Sequence, residues 1–116
     1  MEIIDFRKLE TKHFDSGGAK NVTGRLLIGK ANGASHFVMR LFELDPGGYT
    51  PRHTHQWEHE VFVHSGKGVV LSEGSWIPVS KGNAIFIAPG EEHQFKNAGS
   101  EPFIFVCLIP SGAPEL

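Results

Sequence analysis

Four of the seven histidines fall between positions 53 and 64, and three of them, His53, His55 and His59, are separated by even steps. In an extended chain, residues i and i+2 project to the same face. His53 and His55 are therefore presented together if this stretch is extended, and His59 returns to the same parity after a bend around Gln56-Trp57. Val61 and Val63 continue that parity as an inward apolar lining, whereas His64 falls on the other face. Neutral imidazole nitrogens about 2 Å from a common point make a good site for a late first-row transition metal. A fourth ligand has to come from a distant strand. His93, just after the Pro89-Gly90 break, is the candidate. His13, His36 and His64 are read as surface or hydrogen-bonded residues.

The elements that would position these side chains are short strands. Fourteen glycines and seven prolines are spread along the 116 residues rather than massed in a linker. Apolar and β-branched runs at 23–28, 37–44, 60–63, 69–71, 76–79, 84–88, 93–96 and 103–109 are separated by turn signals such as Asp45-Pro46-Gly47-Gly48 and Asn97-Ala98-Gly99-Ser100. Residues 50–55 are a further extended candidate. Roughly eight or nine strands with turns every 8–12 residues is the spacing of an all-β sandwich or barrel. No stretch carries a helical stripe. The length predicts one domain, with residues 1–22 as an N-terminal arm or edge strand and 23–116 as the barrel.

Composition narrows the function classes. A formal charge of −2 gives no basic footprint for nucleic acid. The single Cys107 excludes an intrachain disulfide and suits a reducing compartment. The longest apolar run, 103–109, is too short to span a bilayer. The start, Met-Glu-Ile-Ile-Asp, lacks the basic and apolar segments of a signal peptide. The expectation is a soluble cytoplasmic protein that binds neither membrane nor nucleic acid.

Two gapped motifs carry a family resemblance. Residues 47–66 read G-x5-H-x-H-x3-H-x6-G and resemble the first cupin motif, G-x5-H-x-H-x3/4-E-x6-G. Residues 82–97 read G-x5-A-P-G-x2-H-x3-N and resemble the second, G-x5-P-x-G-x2-H-x3-N, with Ala88 in place of proline. The usual glutamate slot holds His59. Glu60 fits the looser spacing, but its parity points away from the site. Asn-Val-Thr-Gly-Arg-Leu-Leu-Ile-Gly, Phe-Val-Met-Arg-Leu-Phe and Cys-Leu-Ile-Pro are similar to the small four-histidine manganese monocupins. The resemblance implies a single-domain cupin, an all-β double-stranded β-helix or jelly-roll barrel. It also implies metal ligation by His53, His55, His59 and His93, and a homodimer paired through sheet edges and exchanged terminal strands.

Four neutral imidazoles leave a divalent ion at formal charge +2, which favours anionic ligands and lowers the pKa of bound water. Ligand softness ranks Fe, Ni, Cu or Zn above Mn, whereas the resemblance implies Mn; Mn, then Fe, is the expectation. Arg40 lies mid-strand and either meets an anionic substrate or points outward. Cys107 either lines the cavity or is a small buried hydrophobe. Phe95 and Phe105 supply apolar wall, and Trp57 shields the site or caps the barrel. The leading functional reading is a metal-dependent oxidoreductase of dioxygenase or peroxide-using type, acting on a small molecule. A metal-dependent isomerase or lyase on a polar or sugar-like substrate is the alternative, and a non-catalytic binding or sensing module is the third.

Overall fold

The computed structural model describes all 116 residues. Nine strands follow in order: β1 (Lys12–Phe14), β2 (Lys20–Ile28), β3 (Phe37–Tyr49), β4 (His59–Ser65), β5 (Lys67–Ser72), β6 (Ser75–Ser80), β7 (Ala84–Ile87), β8 (Phe95–Asn97) and β9 (Phe103–Pro110). Two single-turn 3-10 segments, Phe6–Lys8 and Lys30–Asn32, are the only helical pieces, and no helix is long and apolar enough to cross a membrane. The architecture is all-β, as expected.

All pairings are antiparallel, and β3 joins two halves. Phe37 to Leu44 pairs with β9, whose other edge carries β4 and then β7. The far end of β3, at Tyr49, pairs with Lys96 of β8, which continues into β5 and β6. The free edge of β3 takes β2, and β2 takes β1. The chain thereby curls into two faces around one core.

That core follows from period-two burial. Phe103, Phe105, Cys107 and Ile109 of β9 are buried while the residues between them are half-exposed. In β4, His59, Val61 and Val63 are buried and Glu60, Phe62 and His64 are exposed. Phe105 stacks on Phe95 from the opposite half, with ring centroids 4.6 Å apart, and meets Phe103 at 5.2 Å. Phe95 and Phe105 of this aromatic cluster border the same cavity as the histidines.

Two expectations are corrected. Strand β3 does not stop at Leu44 but runs through Asp45-Pro46-Gly47-Gly48 to Tyr49. Gly47 takes φ +80°, and Gly48 lies against the backbone carbonyls of Asp45, Lys20 and Asn21, leaving no room for a side chain. The apparent turn is an irregularity in a paired strand, matched by a register shift between Lys20 and Val22. Residues 50–55 form no strand; only His53 makes an isolated bridge.

The terminal asparagine of the second motif is a clamp. Asn97 Nδ2 donates to the carbonyls of Leu44 and Glu101, both at 2.8 Å, and Oδ1 accepts from Gly99 N–H at 2.8 Å. One buried side chain thus ties the end of β8 to β3 and closes the turn before β9.

Candidate metal centre

The histidines are brought together by backbone pairing between two non-strand segments. His53 N–H donates to the His93 carbonyl at 3.2 Å, and His93 N–H donates to the His53 carbonyl at 3.0 Å. Two residues later, the His55 carbonyl accepts from Gly90 N–H at 2.7 Å. Gly90 holds φ +79°, a conformation that costs a residue with a Cβ. On the other side, Thr50 N–H donates to the Phe95 carbonyl and Phe95 N–H to Thr50 Oγ1, both at 2.9 Å. His59 arrives separately, as the first residue of β4.

The four rings enclose a common space. Ring centroids lie 5.1 Å apart for His53 and His55, 4.6 Å for His53 and His93, 4.8 Å for His55 and His93, 4.5 Å for His55 and His59, and 5.0 Å for His59 and His93. The nearest nitrogens of His53, His55 and His93 all fall within 4.8 Å of one another. Ligand nitrogens about 2.1 Å from one ion are roughly 3–4 Å apart, so this trio is close to a coordinating arrangement. His13, His36 and His64 are exposed and outside it.

Backbone carbonyls set the tautomers. Nδ1 of His53, His55 and His93 lies 2.8 Å from the carbonyl of Pro51, Trp57 and Glu91, respectively. A carbonyl only accepts, so each Nδ1 carries the proton and each Nε2 keeps its lone pair. Nε2 of His93 is buried without a partner, the donor state a metal ion would satisfy.

His59 differs. Its Nε2 lies 2.7 Å from His55 Nε2, and its Nδ1 lies 3.2 Å from Cys107 Sγ. Because His55 Nε2 holds a lone pair, His59 donates there and accepts from the thiol. Were Nε2 of His59 to face an ion, its proton would sit on Nδ1 and the sulfur would accept it; a thiol serves in either role.

The cavity above the rings has a volume of about 270 Å³. Arg40, Trp57, Phe95, Phe105 and Cys107 all line it. Trp57 stacks on His55 with centroids 4.2 Å apart and planes 6° apart. Arg40 is turned inward and only 9% exposed. Sequence reasoning missed Phe14, Val22 and Leu116, which also line the cavity. It also left unnamed the three carbonyls that fix the rings, although each belongs to a residue two places from its histidine.

Electrostatics keep three of the imidazoles, those of His55, His59 and His93, neutral. Burial, then the Arg40 charge and the neighbouring rings, pushes His59 down to about 3. His55 and His93 are also lowered, again mainly by burial. Burial pushes the Cys107 thiol up, against the pull of Arg40. A histidine depressed in the fold costs nothing above its unfolded value near 6.5, but below it the unfolded chain gains protons that the folded chain refuses. Metal-free protein should therefore lose roughly 2 kcal/mol of stability between pH 7 and pH 5. Urea unfolding at the two values checks this. The loss should shrink in His59→Leu, and an unchanged midpoint in the parent would contradict the buried neutral state.

A family model described as a cupin domain matches residues 40–109, more than half of the chain. The chain belongs to the cupin family. This cupin is 32% identical over 97 residues to an oxalate-binding protein of Thermotoga maritima, covering 80% of this chain and 78% of that one. It superposes on the polyketide cyclase RemF of Streptomyces resistomycificus with a TM-score of 0.91 and 34% identity, over 98% of this chain and 82% of that one. A glucose-6-phosphate isomerase of Pyrococcus abyssi is 36% identical over 73 residues, which are 56% of this chain and only 39% of the isomerase.

Proposed function

We propose that this cupin is a metal-dependent enzyme that promotes ring closure or isomerisation of a carbonyl-bearing, largely apolar small molecule. His53, His55, His59 and His93 hold one divalent transition metal. The observation that carries the reading is the buried, unpartnered Nε2 of His93 facing three other rings at the base of an aromatic cavity. When bound, the ion supplies Lewis-acid polarisation of a carbonyl oxygen. Phe14, Phe42, Phe95 and Phe105 line the space above and exclude water, which suits an apolar body better than a sugar. The likeness to a polyketide cyclase over nearly the whole chain supports the same direction.

Manganese remains the metal favoured by the motif resemblance, with Fe next and Ni, Cu or Zn as the alternatives from ligand softness. An oxidoreductase using dioxygen or peroxide is the competing reading. Four protein ligands on a six-coordinate ion would leave two positions for substrate and oxidant, but none of the three relatives above is named for oxidation.

The deciding experiment loads metal-depleted protein with Zn or with Mn and follows α-proton exchange of aromatic β-diketones in deuterated water by NMR. Both loaded forms should accelerate exchange over the protein-free background at one metal per chain, and the depleted form should not. Oxygen consumption by the Mn protein with an inert Zn protein would favour the oxidoreductase. Failure to bind either metal would remove both readings.

We also propose that the working unit is a homodimer. Met39, Phe62, Phe86, Val106 and Leu108 line an apolar hollow on the outer face, with Phe62 and Phe86 more than half exposed. Sedimentation distinguishes the pair from the 12.8 kDa single chain.

A further inference from the structure

Arg40 is a buried charge without a counterion. Its side chain enters the cavity from the middle of β3 and is 9% exposed. Nη2 donates to Cys107 Sγ at 3.0 Å, Cζ lies 5.0 Å from the Phe42 ring centroid, and Nε is buried with no partner. The ion pairs of the chain are Arg7–Asp5, Arg25–Glu43 and Arg52–Glu92, none of which involves Arg40. Arg25, on the neighbouring strand β2, shows the usual solution, a glutamate 3.4 Å away. No aspartate or glutamate lines the cavity.

A guanidinium is almost never fully buried unless it is paired. Here the sulfur and the aromatic face orient the group but do not neutralise it. Imidazole side chains add no negative charge in either protonation state, and a divalent ion among them would add two positive charges. No side chain of the cavity supplies the missing negative charge, and no carboxylate pairs with Arg40, which leaves its donors for an anionic ligand.

We propose that Arg40 is the anion-binding subsite of this cavity. It takes an anionic oxygen carried on carbon, a carboxylate or an enolate, of a ligand whose apolar body lies against the phenylalanines. Cys107 is the positioning residue that holds the guanidinium in place, and the planar fork of donors suits a carboxylate or an enolate with a neighbouring carbonyl. This deepens the metal-dependent reading by naming the charge of the substrate, and its test separates the two.

The test uses salicylate and benzoate as anionic probes, with salicylamide and benzamide as neutral counterparts of similar shape. Binding is read by calorimetry and by quenching of tryptophan fluorescence, in Zn-loaded and metal-free full-length protein. The parent should prefer each anion over its amide. Arg40→Met, which keeps the apolar stem against Phe42, should weaken anion binding by roughly tenfold or more and leave amide binding within about twofold. Arg40→Lys should be intermediate, because it keeps the charge and loses the fork. Metal stoichiometry should be unchanged in both variants. A parent without preference for the anions, or an Arg40→Met variant that binds anion as the parent does or loses anion and amide equally, would overturn the proposal. Preference that depends on Arg40 in protein that takes up no metal would uphold the subsite and remove the metal reading. Normal metal uptake with preference independent of Arg40 would do the reverse.

Discussion

A His93→Ala variant loses at least about 100-fold in affinity for a divalent transition metal, while the metal-free chain unfolds at nearly the urea concentration of the parent. Removing only an outer hydrogen-bond partner of a metal-bound histidine typically costs 10–100-fold, and here a nitrogen that would itself bind is deleted. The fold is spared because His93 holds the site together through its backbone. Its N–H and carbonyl bridge to His53, and alanine keeps both bonds. Its ring contributes one hydrogen bond, from Nδ1 to the Glu91 carbonyl two residues back, and leaves Nε2 buried and unsatisfied. Losing that orphaned atom offsets part of the lost packing, so the metal-free variant should stay within roughly 1 kcal/mol of the parent. Competition against a chelator of known strength, with urea unfolding of the same metal-free samples, reads both quantities. Unchanged affinity would mean that the rings converge without binding. His59→Ala then separates three ligands from four: a loss as large as that of His93→Ala supports the fourth ligand, whereas a loss of less than about tenfold fits a partner that acts from outside the coordination sphere.

The parts of this site legible in the sequence are those carried by strand parity. His59 shares its face with Val61 and Val63 because β4 is regular as far as Val63, and Glu60 points outward by the same rule, as does His64 at the register shift that follows. Cys107 could be placed facing inward for the same reason, between Phe105 and Ile109 on β9. His53 and His55 meet for a different reason from the one parity suggests. Their segment is not a strand, and they are held by the bridge to His93 and the bond from Gly90, which join residues 35–40 apart in the chain. The motif spacing encodes that docking, but only tertiary pairing reveals it. The irregular end of β3 was hidden because Asp-Pro-Gly-Gly is ordinarily a turn; the bonds that keep it extended come from β2 and β8. The burial of Arg40 was equally invisible locally. An arginine within an apolar strand alternates correctly for either face, and the choice is settled by Cys107 directly opposite on β9.

Gly66→Ala should lower the melting temperature by roughly 10–20 °C, from a loss of about 2–5 kcal/mol. Two costs add. Gly66 turns the chain between β4 and β5 at φ +82°, and a left-handed conformation costs an ordinary residue about 1–2 kcal/mol. A Cβ there would also land on the Pro102 carbonyl oxygen and 2.9 Å from Phe103 Cα. Both are backbone atoms, so no rotamer change can relieve the clash, and such overpacking typically costs 1–3 kcal/mol. Gly74 is the internal control. It has φ +77° in the next turn with nothing near its missing side chain, so Gly74→Ala should show the strain alone, about 1–2 kcal/mol. Equal losses in the two variants would show that the close approach to Pro102 contributes nothing. The contact also bears on the metal. At this corner β4, which begins at His59, shifts register between Val63 and Ser65 to pair with β9, which carries Phe105 and Cys107. Forcing Gly66 away from Pro102 strains that pairing, and because His59 reaches Cys107 across it, Gly66→Ala should weaken metal binding even below its melting temperature. The final glycine of the first motif thus bears on His59 from the far end of its own strand.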